Sequence, residues 1–411
     1  WLAALLFLIV TAICFLNIRR KRLSGTVSRK NISLLLLLIL LAAGLTHLSA
    51  GIEKNTAYNR NLAAKPLTST GNLQVRTQAW SKTIKMIREY PLTGVGIGNW
   101  KIMLPKYGTL GMKSSSGAYH YVRPHNDFFW VAGELGLPGI IIYLCFFIYL
   151  LVSSVAILRK CRSGKDYLFF TFILAGLIAY LVIAFFSFPR ERYFHTLLLM
   201  IYAALISSSF AQEKIKTSKF KTLINHLIVL FHLVILITII VVGYHRLKAE
   251  IHLRNAISAR RSNRHDLVIA TINKIDNRFL NMSPSGTPIN WYRGNAYTQI
   301  GYVYNAFIDY YIAAENHPYH IYILNNLGTS YELMGNHSQG KKYYNKVLDI
   351  SPRFEETLTN LSAACYNAKD YIKAAEIIGR VNPRSRNPKF LFYRRKIEDK
   401  IRSLQEVDYE K

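Results

Sequence analysis

Apolar residues gather in six long runs, at about 1–18, 32–50, 138–158, 167–188, 194–210 and 223–243, with polar connections between them. Each run approaches the ~20 residues a helix needs to cross a bilayer. The pattern therefore predicts a multi-pass membrane protein as far as residue 243, the run at 194–210 being the shortest. Beyond 243 the continuous apolar character ends and a different periodicity begins. Gly294, Tyr297, Ala306, Tyr310, Ala313 and Pro318 recur 34 residues later as Gly328, Tyr331, Gly340, Tyr344, Val347 and Pro352. A looser third copy runs through Ser362, Cys365, Ala374, Ile378 and Val381.

That spacing of small and aromatic positions resembles the tetratricopeptide repeat, in which paired helices pack closely and stack on the next pair. Pro284, 34 residues before Pro318, suggests a degenerate earlier unit over 253–286. The expected fold is all-α: a multi-pass transmembrane helical bundle followed by a tetratricopeptide-type α-solenoid. Its expected divisions are two spans in 1–50, a long outer loop over 51–137, four spans in 138–243, a linker helix with the degenerate unit over 244–286, repeats over 287–388, and a terminal helix over 389–411. Such a tail serves either as a groove for a protein or peptide partner or as a rigid spacer.

Composition changes the picture through charge. A 411-residue chain that is 51% hydrophobic and carries a net charge of +29 must segregate the two along its length. The short connections 19–30, 159–166 and 212–221 hold six, four and four Lys or Arg. Every second connection is of this kind, so these are expected to face the cytoplasm. The loop 51–137, the turn Pro189-Arg190-Glu191-Arg192-Tyr193 and everything after 244 then face outward. Residue 1 is Trp, and no basic region precedes the first run, so the chain is expected to continue a longer one upstream. Its four cysteines, Cys14, Cys145, Cys161 and Cys365, suggest neither a disulfide framework nor a metal cluster.

Chemistry is thus to be sought in the outer loop and the turn at 189–193. Within the loop, TGNLQVRTQAWSKTIKMIRE has helical periodicity: Trp80, Thr83 and Ile87 share one face, and Lys82, Lys85 and Arg88 the other. Arg76 falls on the apolar face, where a guanidinium needs an anion or a route to headgroups. The glycines of Leu92-Thr93-Gly94-Val95-Gly96-Ile97-Gly98 lack the preceding strand and following Lys of a phosphate loop, and read as a flexible turn.

Arg123-Pro124-His125-Asn126-Asp127 opens the next apolar stretch. Pro124 suits a first helical turn, and Gly136 with Pro138 marks an end, so a short helix over 124–135 is expected. At its N-terminus His125 would be held neutral by the helix dipole and by Arg123, ready to accept a proton; a structural role for the ring is the plainer alternative. Asn126 and Asp127 would cap the helix or orient the imidazole, and His120 has no helix end to tune it. The loop's carboxylates, Glu53, Glu89, Asp127 and Glu134, are scattered, with Asp127 and Glu134 ~10 Å apart along a helix, so no metal site is expected.

Taken in order, Arg76 and Trp80, then Tyr90-Pro91-Leu92-Thr93-Gly94-Val95-Gly96-Ile97-Gly98-Asn99-Trp100, then His125-Asn126-Asp127, then Glu134-Leu135-Gly136-Leu137-Pro138-Gly139 resemble the O-antigen ligase superfamily of bacterial inner-membrane glycosyltransferases. The resemblance covers about residues 1–210 and leaves out the repeat tail, which the simplest ligases lack. It implies a partial version of the multi-span glycosyltransferase bundle, since the superfamily has about twice as many spans. It also implies transfer of a glycan from undecaprenyl diphosphate to an acceptor at the periplasmic face of the inner membrane. By the same resemblance Arg76 contacts the diphosphate and His125 serves the acceptor hydroxyl; Arg190 and Arg192 in the short turn, with Arg123, would either complete a diphosphate clamp or make ordinary headgroup contacts. No cofactor and no nucleic acid enter that chemistry. The acceptor would be lipid A core, another lipid-linked glycan or a protein hydroxyl. A non-catalytic membrane anchor displaying a repeat scaffold is the alternative of another class.

Overall fold

A computed structural model of the chain describes residues 70–109, 112, 121–211 and 219–409. The apolar runs at 1–18 and 32–50, with His120, lie outside the described residues. Among the described residues the architecture is all-helical, without strands. Among the described residues four helices are long and apolar enough to cross a membrane: Asp127–Lys160, Gly164–Phe186, Tyr193–Phe210 and His226–Arg261. They coincide with the last four apolar runs, the short one at 194–210 included. Two compact units form, Trp1–Gly94 with Arg123–Lys216, and Val95–Val122 with Thr217–Lys411.

The first unit is built on α1 (Thr70–Glu89), α2 (Asp127–Lys160), α3 (Gly164–Phe186) and α4 (Tyr193–Ala211). In α1, Ala79, Thr83 and Met86 are buried, a spacing of one helical face. Arg76 lies one turn before Ala79 on that face. Helix α2 begins at Asp127, not at Pro124 as the sequence suggests. Its N-cap is Asn126, whose side chain accepts from Phe129 N at 2.9 Å, so Pro124 and His125 precede the helix. The expected break at Gly136 is present as a kink, with φ 68 and ψ −168, and the helix resumes directly after it.

Phe147, Leu150, Tyr167, Ile173, Leu177, Tyr180, Leu199 and Ile206 form the core shared by α2, α3 and α4. In lipid, apolar contact alone does not drive helices together; close packing does. Gly176 illustrates this, because a Cβ there would come within 2.6 Å of the Tyr202 hydroxyl. Tyr202 can therefore lie flat against α3.

The second unit opens with α5 (Lys219–Arg261), whose apolar residues from Leu227 to Val242 are exposed. The same helix runs on without a break at 244. Its last turns bury Ala249, Leu253, Ala256 and Ala259 in a core with Val268, Ile272, Ile289 and Tyr292. One helix thus serves both as a membrane-length segment and as the first wall of the tail. Short α6 (His265–Ile272) follows, and then helices packed in successive pairs: α7 (Ile289–Gln299) with α8 (Val303–Asn316), α9 (Ile321–Leu333) with α10 (His337–Ile350), and α11 (Glu355–Asn367) with α12 (Tyr371–Ile378). Helix α13 (Pro388–Tyr409) packs on the last pair. The recurring glycines have a steric reason: a Cβ on Gly294 would sit 3.0 Å from Tyr310, and one on Gly328 would sit 2.9 Å from Tyr344.

The segment Val95–Val122 belongs to this second unit. Thr109 donates its backbone N–H to the Ile350 carbonyl at 2.8 Å, and Lys101 reaches the Pro284 carbonyl at 3.3 Å. This stretch of the loop before α2 is thereby fastened to the tail's helices.

Candidate functional site

The candidate residues collect at one end of the first unit. Arg76 donates from Nη1 to the Phe186 carbonyl at 2.9 Å. Phe186 is the last residue of α3, where carbonyls lack helical partners and the dipole favours a cation. This contact satisfies part of the guanidinium's hydrogen-bonding capacity, and burial lowers its pKa from the ordinary value. Trp80, one turn on, donates its indole N–H to the Pro124 carbonyl at 2.7 Å. Its ring meets Phe129 at 5.8 Å and Phe185 at 6.1 Å. Helix α1 is therefore tied to the end of α3 and to the residue preceding His125.

His125 has φ 56, a left-handed conformation that costs a residue with a Cβ roughly 1 kcal/mol or more. The cost turns the imidazole away from the helix and toward Phe188, whose ring lies edge-on at 5.1 Å. The same Phe188 ring carries the guanidinium of Arg123 at 4.7 Å and that of Arg192 at 5.1 Å. Phe188 is thus a platform on which two cations and an imidazole converge. His125 is held neutral, its pKa pushed down to about 4 by burial first and then by Arg76, Arg123 and Arg192. The causes differ from those the sequence suggests. Burial and three guanidiniums do the work assigned to the helix dipole, because His125 stands outside the helix.

Asn126 and Asp127 take different places. Asn126 caps α2, as described above. Asp127 has a fully buried side chain, and its Oδ2 accepts from the Arg190 backbone N–H at 3.2 Å. The Arg190 guanidinium lies 4.0 Å from Asp127 Oδ1, 3.5 Å from Glu134 Oε2 and 4.4 Å above Trp130. Asp127 and Glu134, two turns apart on one face of α2, thus converge on one cation. This is a strut that fixes the short turn Pro189–Glu191 against α2. The sequence offers Asp127 either a capping role or the imidazole, and its contacts in the structure run to Arg190.

The glycine turn is docked tightly, not loosely. Gly94 has φ 62, and a Cβ there would fall 2.3 Å from the Glu134 backbone carbon. Gly136, with φ 68, would bring one within 2.6 Å of the Leu92 carbonyl oxygen, and Leu137 N donates to the Pro91 carbonyl at 2.7 Å. Two backbones meet with no room for side chains, so the turn packs on the kink of α2.

Sequence reasoning brought Arg76, Arg123, His125 and Arg192 forward, and the structure gathers them. It did not find Phe188 or Glu191, whose carboxylate pairs with Arg123. Glu191 could have been found from its position between two arginines in a short turn, whereas Phe188, a single aromatic after an apolar run, gave no such signal. No group of three or more His, Cys, Asp or Glu able to hold a metal occurs among the described residues.

The family model described as O-antigen ligase matches residues 1–144. No curated protein matches the chain. The matched stretch contains Arg76, Trp80, Gly94, Arg123, His125, Asp127 and Glu134, and it supports the O-antigen ligase superfamily of membrane glycosyltransferases for this part of the chain. The turn with Phe188, Arg190, Glu191 and Arg192, and the entire tail, lie beyond it.

Proposed function

We propose that the chain is a metal-independent glycosyltransferase that moves a glycan from undecaprenyl diphosphate to an acceptor hydroxyl at the periplasmic face of the bacterial inner membrane. The observation that carries this reading is the meeting of the His125 ring with the guanidiniums of Arg123 and Arg192 on Phe188, with Arg76 near enough to act on the imidazole's charge. In the reaction the acceptor oxygen forms a bond to the anomeric carbon. The bond from that carbon to the phosphate oxygen breaks, and undecaprenyl diphosphate leaves with the electron pair. The acceptor proton passes to a ring nitrogen of His125 and then to solvent. Positive charge beside the leaving phosphate stabilises the charge that develops there. Arg76 and Arg192, with Arg123, supply it, and Arg190 holds the turn in place.

A ring whose pKa is about 4 in the donor-free protein is a weak base at neutral pH. The donor itself corrects this. A diphosphate among the guanidiniums cancels the positive field that holds the imidazole down, and so raises its basicity when the substrate is bound. Donor binding and base activation are thus coupled by charge.

The tail favours a protein hydroxyl as acceptor over lipid A core or a second lipid-linked glycan. We read its helix pairs as tetratricopeptide units. A cavity of about 310 Å³ opens among Asn295, Thr298, Asn326 and Asn360, with Glu356 and Lys389 at its wall, and this mixture of amide, hydroxyl and charged groups suits a peptide partner. The test of the central reading is His125→Ala in the producing bacterium, followed by gel analysis of surface glycan and glycoprotein. Loss of the glycosylated species supports transfer. An unchanged pattern supports a non-catalytic anchor.

A further inference from the structure

Two ion pairs frame the turn after α3, and they differ in burial. Arg190 pairs with Asp127 and Glu134, whose side chains are 0% and 3% exposed. Arg123 pairs through Nε with Glu191 Oε2, and these side chains are 38% and 35% exposed. The physical consequence is large. Removing one partner of a buried pair leaves a charge without solvent, whereas water replaces the lost contact of an exposed pair. The Arg123 pair is therefore the more readily exchanged of the two.

What Arg123 faces decides what it would exchange for. Its guanidinium shares the Phe188 ring with Arg192, and both lie close enough to His125 to act on its charge. The Glu191 carboxylate therefore sits at the edge of the pair of cations on the Phe188 ring. A phosphoryl group brings more charge than a carboxylate and accepts a bidentate guanidinium contact.

We infer that the Arg123–Glu191 pair is a displaceable latch: in the donor-free protein Glu191 occupies the anion position on Arg123, and a phosphoryl group of the ligand takes its place. The idea rests on the diphosphate reading above and adds a specificity-determining residue to it. Every anion that binds must first release Glu191 and then tolerate it nearby. Weakly binding anions such as free phosphate are thereby kept out, and a ligand with several contacts is not.

The test is calorimetric titration of the full chain in detergent with inorganic pyrophosphate, comparing wild type, Glu191→Gln, Arg123→Gln and the double variant. Glu191→Gln is expected to tighten pyrophosphate binding roughly fivefold, about 1 kcal/mol. Arg123→Gln is expected to weaken it, and adding Glu191→Gln to that background is expected to give no gain. Glu191→Ala should behave like Glu191→Gln and serves if the latter folds poorly. The latch is overturned if Glu191→Gln binds no tighter than wild type, or if it gains equally without Arg123, which would show only a long-range charge effect. Absence of pyrophosphate binding by both wild type and Glu191→Gln would instead remove the diphosphate reading beneath it.

Discussion

Trp80 donates its indole N–H to the carbonyl of Pro124, 2.7 Å away and 44 residues later in the chain. Pro124 immediately precedes His125, so this bond sets the path of the chain into the strained histidine. Phenylalanine at position 80 keeps the ring contacts with Phe129 and Phe185 but removes the donor. A lost hydrogen bond to a partly buried carbonyl is worth about 1–2 kcal/mol. Trp80→Phe is therefore expected to lower kcat about tenfold with a small change in melting temperature. Steady-state transfer assays with a thermal melt would check it, and an unchanged kcat would show that the bond does not position His125.

The depressed pKa of His125 has a direction that can be measured. With a folded value of about 4 against an ordinary 6.5, the unfolded chain binds a proton between those values and the folded chain does not. Stability from this group is therefore full above about 6.5 and is lost as pH falls toward 4. In activity, kcat/KM reports the donor-free protein and kcat the complex. The acid limb of kcat/KM is expected near 4, and that of kcat at higher pH, because the bound diphosphate offsets the guanidiniums. Arg192→Gln is expected to move the kcat/KM limb upward. Coincident limbs in wild type would contradict charge coupling between donor and imidazole.

Gly94 and Gly98 separate steric contact from backbone conformation. Both have positive φ, 62 and 80, but a Cβ on Gly94 meets backbone at 2.3 Å, whereas one on Gly98 meets nothing within 4 Å. Gly98→Ala is expected to cost about 1 kcal/mol, the conformational part. Gly94→Ala is expected to cost about 3 kcal/mol or more, since backbone must move. Thermal melts of the two variants in detergent should show the Gly94 variant clearly lower.

Transfer is expected to continue in excess EDTA. The two buried carboxylates of the site, Asp127 and Glu134, are taken up by Arg190, and arginines supply the positive charge. Loss of activity on chelation, restored by a divalent cation, would contradict this mechanism.

How much of this was legible in the sequence depends on the range of the interactions involved. The apolar runs after 138 and the helix bearing Arg76 are local patterns, and they reappear as helices, although the buried face of the latter is Ala79, Thr83 and Met86 and not Trp80, Thr83 and Ile87. The N-cap at Asn126 was legible in principle, but Pro124 drew the predicted start three residues too early. The role of Phe188 was not legible, because a single aromatic after an apolar run carries no periodic signal. The convergence of Asp127, Glu134 and Arg190 spans 56 to 63 residues and needs two helices to be placed first. Thr109 and Ile350 are 241 residues apart, and nothing local announces their contact. That contact also changes what a tail deletion means. Removing residues after 250 would strip the partner of Thr109 and uncover Ala249. It would disturb the loop between Gly94 and Arg123 as well as removing the repeats.

The most direct test of the central claim is glycan transfer by the purified full chain from a polyprenyl-diphosphate glycan, comparing wild type with His125→Ala. A base in contact with the acceptor hydroxyl contributes about 10²–10⁴-fold. The account predicts that His125→Ala loses at least a hundredfold in kcat while its affinity for the donor stays within a few-fold. Transfer by His125→Ala at close to the wild-type rate would contradict it.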